Sequence, residues 1–212
     1  MPLIKLVCFD LDETLIQGRS WKTLNNSLGI TDEDDRRWYE AYVSGTLSYE
    51  KWNETLLERY LKHEDATRKA ITEIFSRYEL ADGAREAVEH VRSKGLETAL
   101  ISGSVDIMVD LVARDLGIRH AKANNTFIFD DANRLTGIHT FGDDTIGKAD
   151  HLESFCDELG IAMNECACIG DGENDIEMFR RTGHGITFRG SKIEKDAWKV
   201  VDSLKDIPTI FA

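Results

Sequence analysis

Proline, long apolar runs, basic charge and closely spaced cysteines are all scarce in this chain of 212 residues. Its two prolines argue against a linker-rich or disordered architecture. No apolar run is long enough to span a membrane, and we expect no signal peptide because the amino terminus leads directly into a strand pattern. Basic residues number 26 against 39 acidic ones, which gives a net charge of −13. Because no Lys/Arg stripe offsets that acidity, nucleic acid is disfavoured as a partner, and a phosphate site would have to be locally positive or hold a cation.

The four cysteines lack the CxxC spacing of many zinc sites; they are Cys8, Cys156, Cys166 and Cys168. Cys166 and Cys168 alternate within an apolar strand pattern, so they are predicted to share one buried face of a sheet. We interpret the cysteines as core thiols, with a zinc site as the alternative. Reduced thiols and the lack of a membrane span together predict a cytoplasmic protein.

Strand-like apolar runs alternate with helical patterns through most of the chain, which is typical of a parallel sheet covered by helices on both faces. The patterns predict strands at residues 3–9, 96–101, 165–169 and 183–188, with a hairpin-like excursion within 124–138. They predict helices at residues 84–94, 104–116, 147–159 and 174–181.

The stretch between residues 17 and 81 differs because its patterns are all helical. Its predicted helices lie near residues 21–28, 32–43, 49–62 and 64–78, with N-cap candidates Ser20, Thr31 and Ser48. We therefore predict an α/β fold with a Rossmann-like, doubly wound parallel sheet. Residues 1–16 and 82–212 would form this core domain, and residues 17–81 would be an inserted all-helical cap domain.

Two carboxylates follow the first predicted strand, in the segment Asp10-Leu11-Asp12-Glu13-Thr14. In an open α/β sheet, ligands bind beyond the carboxyl ends of the strands. Asp10 and Asp12 lie two residues apart in an extended segment and can therefore point toward the same side of a cleft. One can act as a nucleophile or metal ligand while the other moves a proton. The alternative is an ordinary strand-ending turn, where Asp is common.

Polar segments also follow two other predicted strands. Ser102, Gly103 and Ser104 come after the second strand and lead into a helix, an arrangement that suits an anion, unless Ser104 is simply the N-cap. The segment 170–175, Gly-Asp-Gly-Glu-Asn-Asp, also joins a strand to a helix. Its acidity suits a hard divalent cation with oxygen ligands rather than a dinucleotide, and the alternative is a turn with a helix cap.

Lys148 is predicted on the first turn of an amphipathic helix, where a lone lysine is usually solvated. It becomes a candidate site residue only if the three strand-ending segments converge near it. An acidic pair, a magnesium-type site and a phosphate cradle in one crevice would suit phosphoryl transfer through an aspartyl-phosphate.

Taken in order along the chain, these elements resemble the haloacid dehalogenase superfamily, specifically its phosphoserine-phosphatase-like branch. The residues that carry the resemblance are Asp10, Asp12 and Thr14 of a DxDxT motif, Ser102 and Gly103, Lys148, and Gly170, Asp171, Gly172, Asn174 and Asp175 of a GDGxND motif. The resemblance extends over nearly the whole chain. The insertion at residues 17–81 matches the position of the helical cap in that superfamily.

The resemblance implies a role for each matched residue. Asp10 would attack phosphorus, and Asp12 would protonate the leaving alkoxide and then deprotonate water. The implied Mg²⁺ ligands are Asp10, the backbone carbonyl of Asp12, and Asp171, with Asp175 as a further ligand or a support. The remaining phosphoryl oxygens would be held by Ser102, the Gly103 amide and Lys148, and Asn174 would contact the phosphate or fix its loop.

The cap departs from the family pattern at the positions that read phosphoserine. Arg19 stands where the family has a glutamate for the ammonium group, and Leu56 stands where it has an arginine for the carboxylate. The resemblance therefore implies a phosphatase for a small phosphorylated metabolite, and Arg19 would favour a leaving group with extra negative charge or acceptors. Tyr49 is a second candidate cap residue.

Two alternatives from other functional classes remain open. A phosphonate-cleaving or phosphotransfer enzyme could use the same Asp10, with Lys22 or Lys51 forming a Schiff base. A non-catalytic phosphate-binding module is the other, since a fold does not fix a function. The sequence does not predict an oligomeric state.

Overall fold

The computed structural model describes residues 3–212, and within them the strands form one sheet of seven. The strands are β1 (Leu6–Phe9), β2 (Glu97–Val105), β3 (His120–Phe129), β4 (Leu135–Thr140), β5 (Cys166–Ile169), β6 (Gly185–Phe188) and β7 (Lys199–Val201). Their order across the sheet is β4-β3-β2-β1-β5-β6-β7. All neighbours pair in parallel except the antiparallel hairpin of β3 and β4. The predicted α/β class, with its mostly parallel sheet, is confirmed.

Helices lie on both faces of this sheet and in the long connection after β1. The connection holds α1 (Ser20–Ser27), α2 (Asp32–Val43), α3 (Tyr49–Tyr60) and α4 (Arg68–Phe75). The remaining helices are α5 (Ala84–Ser93), α6 (Asp106–Leu116), α7 (Asp144–Leu159), α8 (Ile176–Thr182) and α9 (Ile207–Ile210). No helix within residues 3–212 is both long enough and apolar enough to cross a membrane.

The central strand β1 is buried on both faces, which is why its sequence reads as a nearly continuous apolar run. Val7 and Phe9 pack in the larger core with residues of α1 to α6. Leu6 and Cys8 point the other way and pack against α7 and α8. Full burial of each such side chain contributes about 1.5–3 kcal/mol, so both layers hold β1 in the middle of the sheet.

The cysteines belong to the second of these cores. Cys166 and Cys168 share one face of the sheet with Cys8, as their alternation predicts, and Cys156 of α7 lies in the same core. All four are buried free thiols. This placement supports the interpretation as core thiols.

The chain enters and leaves the helical connection through two adjacent segments. Ile16 forms an antiparallel bridge with Leu80, and the Ala81 amide donates to the Leu15 carbonyl at 2.9 Å. The proposed domain boundaries after residues 16 and 81 lie at these two hydrogen-bonded segments. The division into a core and a cap domain stays a prediction.

Several helix starts differ from those that the sequence pattern indicates. Strand β2 continues to Val105 because Val105 still pairs with Asn125 of β3, so α6 begins at Asp106 and Ser104 is not its cap. Ser20 is already inside α1, whereas Thr31 and Ser48 cap α2 and α3 as predicted. Helix α7 begins at Asp144, which places Lys148 beyond the first turn.

Candidate active site

The carboxyl ends of β1, β2 and β5 meet at one edge of the sheet because β1 lies between the other two strands. The Asp10 amide donates to the carbonyl of Ile169, the last residue of β5, at 2.8 Å. The DxDxT segment and the segment 170–175 are therefore immediate neighbours. The segments that follow β1, β2 and β5 therefore converge at one edge of the sheet, as the sequence predicts.

Lys148 lies at the centre of this convergence, with 0% of its side chain exposed. Its Nζ donates to Asp10 Oδ1 at 2.7 Å and to Asp175 Oδ1 at 2.8 Å. Burial alone would lower the pKa of Lys148, but the charges of Asp10, Asp175 and Asp144 outweigh it and raise that pKa well above the ordinary value. The solvated alternative for Lys148 is wrong, because α7 turns this residue toward the sheet edge.

Three carboxylates form a compact group around the same point. Asp10, Asp171 and Asp175 each offer an oxygen, and these oxygens lie within 4.8 Å of one another. Burial raises the pKa of Asp10 well above its ordinary value and that of Asp171 to about 6, and neighbouring carboxylates add to both shifts. An all-oxygen, crowded and largely desolvated donor set fits a hard divalent cation such as Mg²⁺.

Asp175 is fully buried and both of its oxygens are engaged. Oδ1 accepts from Lys148, and Oδ2 accepts from the Gly172 amide at 3.1 Å. These contacts make Asp175 better suited to support Lys148 and the loop than to act as a primary metal ligand. Thr14 Oγ1 donates to Asp171 Oδ1 at 3.4 Å, and this contact links the DxDxT motif to the GDGxND motif.

The carboxylate of Asp12 is held by Ser20 of α1 rather than by the sheet. This carboxylate accepts from the Ser20 amide at 3.0 Å and from Ser20 Oγ at 2.8 Å. Ser20 Oγ is also 2.6 Å from Ser104 Oγ. Burial raises the pKa of Asp12 to about 6, against the lowering effect of the Ser20 hydrogen bonds. A carboxyl group with that pKa can both give and accept a proton near neutral pH.

Ser102 and Gly103 form the wall of the crevice on the β2 side. Ser102 is only 2% exposed, and its Oγ accepts from the Ser104 amide at 3.0 Å. The Gly103 carbonyl accepts from Trp21 Nε1 at 3.0 Å and from Asn125 Nδ2 at 2.9 Å. A Cβ at position 103 would collide with the carboxylate of Asp144, so any other residue there would displace that carboxylate.

Asp144 also explains the position of Asn174, whose Nδ2 donates to Asp144 Oδ2 at 2.8 Å. Sequence reasoning missed Asp144, Ser20 and Ser104 as site residues. The available signal for Asp144 was its spacing of four residues from Lys148, which places both on one helical face.

The two cap candidates lie at the margin of the site. Arg19 is exposed, and its Nε forms an ion pair with Glu13 Oε2 at 2.6 Å. Tyr49 accepts at its hydroxyl from Asn125 Nδ2 at 3.2 Å and is thereby one residue removed from Gly103. Leu56 is buried in the larger core.

The model of the haloacid dehalogenase-like hydrolases matches residues 4–183, and the chain therefore belongs to this family. It is similar to phosphoserine phosphatase of Methanocaldococcus jannaschii, with 28% identity over 97% of this chain and 95% of the relative. It is also 30% identical to phosphoserine phosphatase of Archaeoglobus fulgidus, over 91% of this chain and 54% of that protein.

Solved structures agree with this assignment. A substrate-bound phosphoserine phosphatase complex superposes with a TM-score of 0.80 at 25% identity and covers 98% of each chain. A phospho-aspartyl intermediate analogue of phosphoserine phosphatase gives 0.79 at 26% identity, with the same coverage. With this fold and this site, the chain is a phosphatase of the family.

Proposed function

We propose that this phosphatase is a Mg²⁺-dependent phosphomonoesterase that acts on a small phosphorylated metabolite through an aspartyl-phosphate at Asp10. The observation that carries the proposal is the buried Lys148 between Asp10 and Asp175, beside the Ser102 and Gly103 wall. The likeness to a phospho-aspartyl intermediate analogue supports it. The cytoplasmic location remains a prediction.

In the first half-reaction, a carboxylate oxygen of Asp10 forms a bond to phosphorus while the ester oxygen leaves. Asp12 gives the leaving alkoxide its proton, and its raised pKa of about 6 suits that role. In the second half-reaction, the ionised Asp12 takes a proton from the water that attacks the aspartyl-phosphate, and inorganic phosphate is released.

The other residues hold the phosphoryl group in place. Lys148 would contact a phosphoryl oxygen and separate its charge from that of Asp10. Ser102, the Gly103 amide and Asn174 would bind the remaining oxygens. When bound, Mg²⁺ would be held by Asp10, the Asp12 carbonyl and Asp171, and it would neutralise charge on the phosphoryl group.

We propose that phosphoserine, the substrate in the names of the relatives, is not strongly preferred. Leu56 is buried in the core and offers no charge for a carboxylate. Arg19, which stands in place of the family's glutamate, offers no negative charge for an ammonium group. The nearby arginines that could substitute, Arg36, Arg37 and Arg59, already have acidic neighbours. Arg36 lies 3.9 Å from Glu40, and Arg37 and Arg59 both pair with Asp34.

No observation favours the phosphonate or phosphotransfer alternative. A Schiff-base lysine needs a lowered pKa and access to the substrate. Lys22 and Lys51 are exposed, and they form ion pairs with Asp32 at 3.1 Å and with Glu54 at 2.7 Å. The unbroken motifs and the family membership argue against a non-catalytic module.

Asp10→Asn tests the proposal, since an amide is a poor nucleophile and a weak metal ligand. We expect activity on a phosphometabolite panel with Mg²⁺ to fall by about 10³-fold or more. Rapid acid quench and mass spectrometry should detect phosphate on Asp10 in the wild type. Asp131→Asn, on the exposed β3–β4 turn, is the matched control and should keep full activity. If Asp10→Asn retains activity within tenfold of wild type, Asp10 is not the nucleophile.

A further inference from the structure

Asp144 is a site carboxylate that the proposed reaction does not use. Its Oδ1 accepts from Asn124 Nδ2 and its Oδ2 from Asn174 Nδ2, both at 2.8 Å. These two amides fix the carboxylate directly against Gly103, where a Cβ would collide with it. The charge of Asp144 therefore has a defined position beside the phosphate cradle.

A fixed negative charge at that position opposes a bound phosphate, because like charges at close range repel. The opposition is useful only if another part of the substrate carries positive charge. The two asparagines donate neutral hydrogen bonds, and the cation that Asp144 influences is Lys148, whose pKa its charge helps to raise. Because Asp10 and Asp175 accept the hydrogen bonds of that lysine, it offsets the charge of Asp144 only in part. The side chain is half-buried, so it remains open to a ligand.

Three aromatic side chains of α2 and α3 form a cluster that hydrogen bonds connect to Gly103, the residue against which Asp144 packs. The ring centroids of Tyr42 and Trp52 are 5.5 Å apart, and those of Tyr42 and Tyr49 are 5.9 Å apart. Asn125 Nδ2 bridges the Tyr49 hydroxyl and the Gly103 carbonyl, which ties the cluster to the cradle. All three rings are half-buried and retain accessible surface.

The electrostatics agree with this placement. Burial is the main reason why the pKa values of Tyr42 and Tyr49 are raised, and the negative charge of Asp144 contributes to both shifts. The charge of Asp144 thus acts on both phenol groups. Aromatic rings together with a carboxylate form a favourable environment for an ammonium group.

We infer that the leaving-group subsite takes a cation, namely the ammonium group of an amino-alcohol phosphate, held by Asp144 and the faces of Tyr42, Tyr49 and Trp52. This inference rests on the proposed phosphatase function and names its substrate class. It replaces the anionic leaving group suggested by Arg19, whose charge Glu13 already neutralises. A phosphoserine carboxylate would be repelled by Asp144.

The test compares kcat/KM for phosphoethanolamine and phosphocholine with that for 2-hydroxyethyl phosphate, a neutral leaving group of similar size. We expect the wild type to prefer at least one cationic ester by about tenfold or more. Asp144→Asn keeps the side-chain volume and one acceptor, and it should reduce that preference at least fivefold. Asp131→Asn should leave the preference unchanged.

Equal use of the cationic and neutral esters by the wild type would overturn the inference. So would an equal loss on both esters in Asp144→Asn, which would mean that Asp144 only positions Asn174. Calorimetric titration with tetramethylammonium supplies a readout without turnover. If Asp144→Asn binds this ion more weakly than the wild type and the wild type hydrolyses no ester, the cation subsite is upheld and the proposed function is refuted. If the wild type neither binds tetramethylammonium nor prefers a cationic ester, the subsite is refuted.

Discussion

Replacing Lys148 with methionine removes the single positive charge that two buried carboxylates share. The side chain of methionine fills a similar volume, so the change is mainly electrostatic. Asp10 and Asp175 accept from Lys148 Nζ at 2.7 and 2.8 Å, and both carboxylates are almost fully buried. Removing one partner of a buried ion pair typically costs about 3–5 kcal/mol because the other charge remains desolvated.

We therefore expect Lys148→Met to lose about 3–5 kcal/mol of unfolding free energy in Mg²⁺-free buffer at pH 7. A chain of this size loses roughly 2–4 °C in Tm per kcal/mol, so the expected drop in Tm is roughly 6–20 °C. Urea denaturation followed by tryptophan fluorescence measures the free energy, and calorimetry measures Tm. Lys192→Met, at an exposed lysine, is the control and should change stability by less than about 0.5 kcal/mol.

The double variant Lys148→Met/Asp175→Asn separates charge from packing. It removes one of the two stranded carboxylates, so it should be more stable than Lys148→Met alone, and the two changes should be strongly non-additive. A Lys148→Met loss below 1 kcal/mol, or additive effects in the double variant, would refute the charge argument. Phosphatase activity should fall by about 10³-fold or more in both variants.

Three further predictions concern the metal, the acidic loop and the substrate. Activity should require Mg²⁺ and disappear with chelator, and Ca²⁺ should inhibit because it prefers more ligands and longer bonds; full turnover in excess chelator would contradict the metal assignment. Burial raises the pKa of Asp171 to about 6 in the folded protein, above the ordinary Asp pKa. Protonated Asp171 therefore stabilises the fold fully below the ordinary Asp pKa, and this stabilisation is lost as the pH rises through about 6. Asparagine at position 171 does not titrate, so without metal the free energy of unfolding of Asp171→Asn relative to wild type should increase by about 1–2 kcal/mol between pH 4 and pH 7. Parallel urea titrations measure this difference, and a constant difference across that range would contradict the prediction. Finally, kcat/KM for phosphoserine should not exceed that of the best substrate in a phosphometabolite panel, and a hundredfold preference for phosphoserine would show that other residues read its two charges.

The architecture and the catalytic core follow from local sequence patterns. A strand buried on both faces must be apolar throughout, so β1 and β5 stand out from the sequence, and the residues that follow them must lie at one sheet edge. That logic places Asp10 and the segment 170–175 at the same edge of the sheet, whereas the pairing of β1 with β5, which makes them neighbours, is a finding of the structure. By contrast, β7 has three residues and α9 has four, too few to show a period.

The missed site residues depend on contacts that no local pattern records. Ser20 reaches Asp12 only because α1 packs over the end of β1, and Ser104 meets Ser20 only because β2 extends past the point where a helix was expected. The burial of Lys148 depends on which face of α7 the sheet receives. Its role was predictable only in combination with the other motifs.

The candidate active site gathers its acidic residues in a protein whose net charge is already −13. Most of the carboxylates have their own compensation: Asp12 accepts from Ser20, Asp175 from Lys148 and the Gly172 amide. Asp10 shares Lys148. Within residues 3–212, the side chain of Asp171 accepts one long hydrogen bond, from Thr14 at 3.4 Å, and Lys148 and Arg19 act on it without forming an ion pair.

The uncompensated charge is therefore concentrated at Asp10 and Asp171, the two carboxylates that the proposal assigns to Mg²⁺. One lysine shared by two carboxylates cannot also balance the charge of a phosphate dianion. A divalent cation bound at Asp10 and Asp171 would supply the missing positive charge. Asp144 adds to this imbalance, because its hydrogen-bond partners are neutral amides and its charge acts on the same Lys148. The cation subsite inferred above gives that charge a partner on the substrate, so a change at Asp144 should alter selectivity between esters more than catalysis.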